Sequence, residues 1–452
     1  MAHVRALATP FRPRPDAQPG AMPPLRSSGS LATSAMLLAA MPLTVLLQAG
    51  EADVAWSWAG GVTATRAAFV AKISSAAPLS LAEGTWSGTR TTLPATPPDA
   101  DGIARWRAAG LKPNTAYAWG VAGAAKPLGT LRTHPEPGKP ASFTIALASC
   151  AKKPDGEVFR AIAKQQALVF LCTGDLHYGD LGARGSPATF LEQIGARAAS
   201  PDFSKVFAAM SWVYMWDDHD FTGNDASHST PGAEAAHAAY RRLIPHHDLA
   251  LPWARTPIAQ AFTVGRVRFV IPDLRSQRDA VAGSLLGAAQ KPWIESEISA
   301  AARTCKLLVL VSSVPWNGKA QAGSDRWQSY DQERAWLAQR IKAAGIRACV
   351  LSGDAHMSAI DDGTNSDFAG GWPMPVFQAG PLTSGGSYKG GPYSHGASLA
   401  SGQFGMMTVT DAGAALSVRW EARVGSDGIG SEIVTARRDA KGGKIAYEFT
   451  VK

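Results

Sequence analysis

Apolar residues are spread unevenly along this chain. Beyond residue 140 they gather into short unbroken runs, and six of these stop at an abrupt boundary. In order they are FTIALAS before Cys150, ALVFLCTG before Asp175, WVYMW before Asp217-Asp218-His219, VRFVIP before Asp273-Leu274-Arg275, LLVLVSSVPW, and ACVLSG before Asp354-Ala355-His356. A short run that is continuously apolar, rather than alternating, predicts a strand covered on both faces. Between the runs lie segments with helical spacing: EVFRAIAKQQ, AEAAHAAYRRLI, KPWIESEISAAAR and DQERAWLAQRIKAAG. Strands alternating with helices predict a layered α/β domain, and in open α/β sheets ligands gather just beyond the carboxyl ends of the strands. Five runs end in a residue able to ligate a metal or a phosphate. The sixth, LLVLVSSVPW, ends in Pro315-Trp316 and is assigned to the sheet core and the rim of the cleft.

From Asp53 to Thr133 the pattern changes to short alternating runs (VAWSWAGGVTATRAAFVAKI, GIARWRAAGL, AYAWGVAG, LGTLRT) separated by Gly, Pro and Asn. This predicts a small all-β sandwich over residues 53–133, and its Leu111-to-Tyr117 turn resembles one in fibronectin-type-III-like modules. The Pro/Gly-rich segment 134–142 reads as a linker, and residues 143–452 as the α/β domain with a β-rich tail from Met406. After Ala379 comes the loop GPLTSGGSYKGGPYSHGASLASG, of a length more often functional than idle. Residues 1–52 place Arg5, Arg12, Arg14 and Arg26 ahead of an apolar stretch, Leu31 to Ala49, and a small-residue exit. That order predicts an export signal, so the protein is expected to be exported; left uncleaved, the same stretch could tether it to a membrane.

With 452 residues, 46% hydrophobic and 18% charged, the chain has ample apolar material for a large core. Its net charge of +8 is scattered and partly N-terminal, and no dense Lys/Arg block marks a nucleic-acid surface. Four cysteines, three of them in or beside apolar runs, do not make a disulfide framework.

The polar boundaries carry the candidate chemistry. Asp175 and Tyr178 follow the second run, where an aspartate is ordinarily a turn or helix-cap residue but can also bridge metal ions. Asp217, Asp218, His219 and Asp220 are consecutive, a clustering of like charge that a bound cation would offset, and Asn224 and Asp225 add oxygen ligands to the same loop. Asp354 and His356 lie two apart at an extended strand end, so both can face one ion. Cys150 alone reads as a core thiol, and its place at a strand tip raises it to a candidate ligand. Arg275 and Arg278 suit bidentate contact with phosphate oxygens, or an internal ion pair with one of the acids.

The ordered set Ser149-Cys150, Gly174-Asp175-x-x-Tyr178, Trp216-Asp217-Asp218-His219-Asp220 with Asn224-Asp225, Asp273-x-Arg275-x-x-Arg278 and Gly353-Asp354-x-His356 resembles the alkaline phosphatase D (PhoD-like) family of metallophosphoesterases. The resemblance spans about Ser142 to Ala379. It implies a metallophosphatase-type two-sheet sandwich flanked by helices, acting as an alkaline phosphatase or phosphodiesterase. It also implies Fe3+ held by Cys150, Asp175, Tyr178, Asp354 and His356, with Ca2+ nearby on Asp218 and Asn224, and Asp217 as a further metal ligand. In this reading Arg275 or Arg278 holds a phosphoryl oxygen and His219 protonates the leaving group or orients a ligand. This chain carries Leu176-His177 before the tyrosine, which would allow His177 to reach the metals. Two other readings stay open: a dinuclear calcineurin-like phosphoesterase without calcium, and a non-catalytic cell-surface binding protein.

Overall fold

The computed structural model describes residues 53–251, 257–426, 430–438 and 443–451. The predicted leader and the apolar stretch Leu31 to Ala49 lie outside them, and among the described residues no helix is long and apolar enough to cross a membrane.

The N-terminal alternating runs become seven strands: β1 (Val54–Gly60), β2 (Arg66–Ile73), β3 (Ala77–Glu83), β4 (Arg90–Thr96), β5 (Ile103–Ala109), β6 (Ala116–Val121) and β7 (Gly129–Arg132). Strands β4-β3-β6-β7 form an antiparallel sheet that faces β1-β2-β5 across a core of Phe69, Leu79, Trp106 and Trp119. The second of these layers does not stop at the segment's edge. Gly60 of β1 pairs in parallel with Trp212 in the strand that carries the WVYMW run, so the main sheet runs straight into the N-terminal segment.

The main body follows in order: β8 (Phe143–Ala148), α1 (Glu157–Ala163), β9 (Val169–Thr173), α2 (Pro187–Ala198), α3 (Phe203–Ala209), β10 (Ser211–Met215), α4 (Asp218–Phe221) and α5 (Ala233–Leu243). Next come β11 (Gln260–Val264), β12 (Val267–Ile271), α6 (Gly287–Thr304), β13 (Leu307–Ser312), α7 (Asp331–Ala344), β14 (Arg347–Ser352), β15 (Ser358–Asp361) and β16 (Val376–Gln378). The chain closes with β17 (Ala397–Ser398), β18 (Gln403–Asp411), β19 (Leu416–Ser426), β20 (Gly430–Ile433) and β21 (Ala446–Val451). One sheet runs β20-β19-β18-β8-β9-β10-β1-β2-β5, with β21 on β19; the other runs β11-β12-β13-β14-β16-β15-β17. In each, the strands that bear the apolar runs are parallel neighbours: β8, β9 and β10 in one, β12, β13 and β14 in the other.

Their continuous apolarity now has its cause. Alternate residues of β8, β9 and β10 (Ile145, Leu147, Val169, Leu171, Val213, Met215) meet Val267, Phe269, Leu307, Val309 and Leu351 of the facing sheet. The other set of the first sheet, including Ala146, Phe170 and Trp212, packs under helices through Phe159, Ile194 and Phe207. Leu308, Leu310 and Val350 of the second sheet pack under α6 and α7 through Ile294, Ile298 and Leu337. Every ligand-bearing strand is thus buried on both faces, and the four predicted helices, joined by α2 and α3, form the outer layers. The helix α2 was not legible from periodicity. Its signal is local: Ser186 and Thr189 cap one another ahead of Pro187 at the first helical position.

Candidate metal centre

Parallel strands joined by helices end on one edge, so their polar boundaries converge. The tips turn away sharply. Cys150, Asp175, Asp354 and His356 have φ of 65°, 55°, 60° and 49°, a left-handed backbone that costs each non-glycine residue about 1 kcal/mol or more. The glycine before each aspartate is set by crowding. A Cβ on Gly174 would sit 2.4 Å from Asp217 Cβ, and one on Gly353 would sit 2.5 Å from the Thr173 carbonyl oxygen. The first contact packs the neighbouring tips of β9 and β10 together, and the second brings the two sheets backbone to backbone where their ligands emerge.

Four groups of ligand atoms result, each with all its members within 4.8 Å of one another: Cys150, Asp175 and His356; Asp175, Asp217 and Asp354; Asp175, Asp218 and His219; and Asp218, Asp225 and Asp325. Asp175 belongs to three of them. It is 1% exposed, and neither of its carboxylate oxygens has a hydrogen-bond partner; Asp217 Oδ2 and Asp354 Oδ2 are buried and likewise without one. Burial, then the charges of Asp218 and Asp217, pushes the Asp175 carboxyl well above the usual carboxylate range. Burial also pushes up the Cys150 thiol, reinforced by Asp175 and Asp354, and raises the Tyr178 phenol in the same way. Buried acids aimed at one another with free lone pairs are destabilising unless a cation sits among them. The donor set of thiolate, imidazole, phenol and carboxylates fits such cations.

The remaining predicted residues divide. Tyr178 lies with its hydroxyl 3.1 Å from His356 Nε2 and accepts from Ser384 Oγ at 3.0 Å. His219 lies tilted against the Tyr178 ring, centroids 4.2 Å apart, and pairs through Nδ1 with Asp180 Oδ1 at 2.6 Å. Asn224 is exposed and donates to Asp225. Asp220 is structural: its oxygens accept from Tyr214 Oη at 2.7 Å, from the Leu176 amide at 2.8 Å and from the Asp217 amide at 2.6 Å.

The two arginines expected on substrate are held inside the protein. Arg275 is 0% exposed and donates to Asp217 Oδ1 at 2.7 Å and to Asp325 Oδ2 at 2.8 Å, which with burial opposing holds Asp325 down at about 2. Arg278 donates to Tyr330 Oη and to the backbone carbonyls of Asp225 and Ala226, bracing the Asn224-Asp225 loop. His177 does not reach the cluster. It is buried against Phe190, and burial with Arg197 nearby lowers it to about 3. The sixth run ends without a ligand of its own, but further along the loop that follows β13 come Asp325 and Arg326, which border the cluster. Sequence reasoning missed these and Lys389, whose Nζ lies 2.5 Å from Asp354 Oδ1. The available signal was the Gly/Ser-rich loop itself. A loop of that length returning to the strand tips is positioned to carry a functional side chain.

All four cysteines are free. The model of a protein family described as PhoD-like phosphatase matches residues 143–409, more than half of the chain. A curated relative, alkaline phosphatase D of Bacillus subtilis (strain 168), is 25% identical over 304 residues, covering 55% of this chain and 52% of that protein. The chain thus spans about half the length of the curated relative it matches. Among solved structures, one titled "Structure of PhoD" superposes with a TM-score of 0.69 at 18% identity, over 88% of this chain and 90% of that one. A purple acid phosphatase from yellow lupin (Lupinus luteus) seeds superposes at 0.59 with 13% identity, over 87% and 73%. At these identities the two structures bear on the fold alone.

Proposed function

We propose that this chain, which belongs to the PhoD-like phosphatase family, hydrolyses phosphate esters by metal-activated water at the strand-tip cluster. One observation carries the reading: Asp175, fully buried with both oxygens unpartnered, is shared by three groups of potential ligands. No hydrogen-bonding role explains such a carboxylate, whereas a place among the residues that would hold bound cations does. We place Fe3+ on Cys150, Asp175, Tyr178 and His356 with Asp354 beside them, since thiolate and phenolate suit a trivalent ion. Ca2+ is placed on the oxygen donors Asp217, Asp218 and Asn224, to which Asp225 and Asp325 are added. Bound cations of this kind lower the pKa of a coordinated water and offset charge on phosphoryl oxygens.

The chain's own residues then have separate tasks. Arg275 offsets Asp217 and Asp325 and fixes their orientation toward the cluster. His219, anchored through Nδ1 on Asp180, presents Nε2 as the ring atom that can hand a proton to the leaving oxygen. The basic-to-apolar order of residues 1–52 supports export, and the facing β1-β2-β5 and β4-β3-β6-β7 layers suit a fibronectin-type-III-like module.

The purified protein is expected to release nitrophenol from nitrophenyl phosphate or bis(nitrophenyl) phosphate, and to lose that activity on chelation. Undiminished turnover after complete metal removal would overturn the reading. Elemental analysis that finds neither iron nor calcium would favour the calcineurin-like alternative.

A further inference from the structure

A phosphate ester brought to a carboxylate-rich cluster needs fixed positive charge on the side it enters from. Arg275 and Arg278 do not supply it. The side chain of Arg275 is 0% exposed, and Arg278 is engaged with Tyr330 and two carbonyls. Two other cations border the cluster, and both keep a face to solvent: Lys389 and Arg326 are each 25% exposed, against 5% for the Asp354 between them. We propose that Lys389 and Arg326 form a phosphate clamp, binding the non-bridging oxygens of the substrate phosphoryl group at the mouth of the site. This rests on the phosphoesterase reading above.

The two side chains approach one carboxylate from different loops. Lys389 Nζ donates to Asp354 Oδ1 at 2.5 Å, while Arg326 Nε lies 3.9 Å from Asp354 Oδ2 and 3.9 Å from Asp325 Oδ1. Asp354 takes one of the three ammonium protons. Arg326 Nε is buried without a hydrogen-bond partner, so its donor capacity points at the cluster unused. An ammonium and a guanidinium side by side match the tetrahedral spread of phosphoryl oxygens better than either alone.

Lys389 is also placed deliberately. Its loop is pinned to the metal-facing residues at successive points: Ser384 Oγ to Tyr178 Oη at 3.0 Å, His356 Nδ1 to the Gly385 carbonyl at 2.9 Å, and the Ser387 amide to the His356 carbonyl at 3.1 Å. Tyr393 Oη then donates to the Lys389 carbonyl at 3.1 Å. A side chain held this way at 25% exposure is poised rather than incidental.

The test is calorimetric binding of inorganic phosphate to the metal-loaded protein, with KM, kcat and metal content measured in parallel. Lys389→Met is expected to weaken phosphate binding and raise KM by about ten- to hundredfold, the worth of a hydrogen bond to a charged group, with metal content unchanged. Lys389→Arg should recover most of the loss, and Arg326→Met should move the same quantities in the same direction. Unchanged phosphate affinity, a loss of metal, or increased activity that marks Lys389 as a plug would each overturn the proposal. If no ester is hydrolysed and yet Lys389→Met weakens phosphate binding, the hydrolysis reading fails and the clamp stands.

Discussion

The tips of β9 and β12 carry aspartates that the sequence presents alike, each at the polar end of a buried apolar run, and the protein uses them in opposite ways. Asp273, after β12, is saturated: Oδ1 accepts from Trp216 Nε1 at 2.9 Å and from the amides of Arg275 and Ser276 at 3.0 Å each, while Oδ2 accepts from the Ile258 amide at 2.9 Å and from Ser276 Oγ. Asp175, after β9, accepts from nothing. Both are about 1% exposed, so burial does not distinguish them; the donors around them do. A buried carboxylate ringed by neutral donors is a brace that fixes loops. One ringed by other acids is a place for cations. The strained backbone agrees with this division, since Asp175 has positive φ and Asp273 is absent from the positive-φ residues among those described.

The contrast can be broken most severely at Asp175 itself. Asp175→Asn removes a ligand common to three groups and should lower kcat/KM by at least about a thousandfold, as expected for losing several kcal/mol of metal-borne stabilisation, while the circular dichroism spectrum stays native. Asp273→Ala should do the reverse. It strands the Trp216 indole and several amides, costing about 3 kcal/mol or more of stability in denaturant titrations, while turnover per folded molecule falls far less than in Asp175→Asn. Gly174→Ala tests the close approach of the neighbouring tips of β9 and β10, because the new Cβ would meet Asp217 Cβ at 2.4 Å in a backbone with φ of +106°. A loss of about 2 kcal/mol with reduced metal content is expected; an unchanged melting temperature would show that the two tips are not rigidly apposed.

The smallest effect sharpens the same comparison through pH. Asp175 has a folded pKa raised by burial and by Asp218 and Asp217, so the folded protein stripped of metal holds that proton to higher pH than the unfolded chain does. The stability linked to it is present at low pH and is lost as pH rises through the folded pKa. Metal-stripped Asp175→Asn, which carries no such charge, should therefore melt above stripped wild type at pH 8, and the gap should narrow toward pH 5. A gap that widens on acidification would mean the carboxylate is not isolated as described.

Much of this was legible beforehand. The six runs locate six parallel strands, and the residues just past four of them include Cys150, Asp175, Asp217, Asp218, Asp354 and His356, all members of the candidate centre. Their signal is strong because a strand tip adjoins its own apolar run, so sequence proximity and spatial proximity coincide. Asp325 and Lys389 had no such neighbour. They reach the cluster along loops whose path depends on contacts such as Ser384 with Tyr178, made between residues far apart in the chain. For Arg275 the sequence left two roles open, because a guanidinium beside a strand end is equally able to hold a phosphate or a carboxylate, and only the fold sets it against the acids Asp217 and Asp325. The segment 53–133 likewise gives its strands by alternation, whereas its merging into the main sheet depends on the β1 to β10 pairing.

The sequence by itself thus determined the apolar strands, four of the helices that cover them and most of the groups able to bind a metal, because burial on two faces and turn chemistry are written locally. Only the tertiary structure decided which carboxylates were left without donors, which arginines were neutralised internally and which distant loop brought a lysine to the rim. Those outcomes depend on the sum of charges and donors within a few ångströms, drawn from both sheets and the loops that follow their strands, and no single stretch of chain contains it.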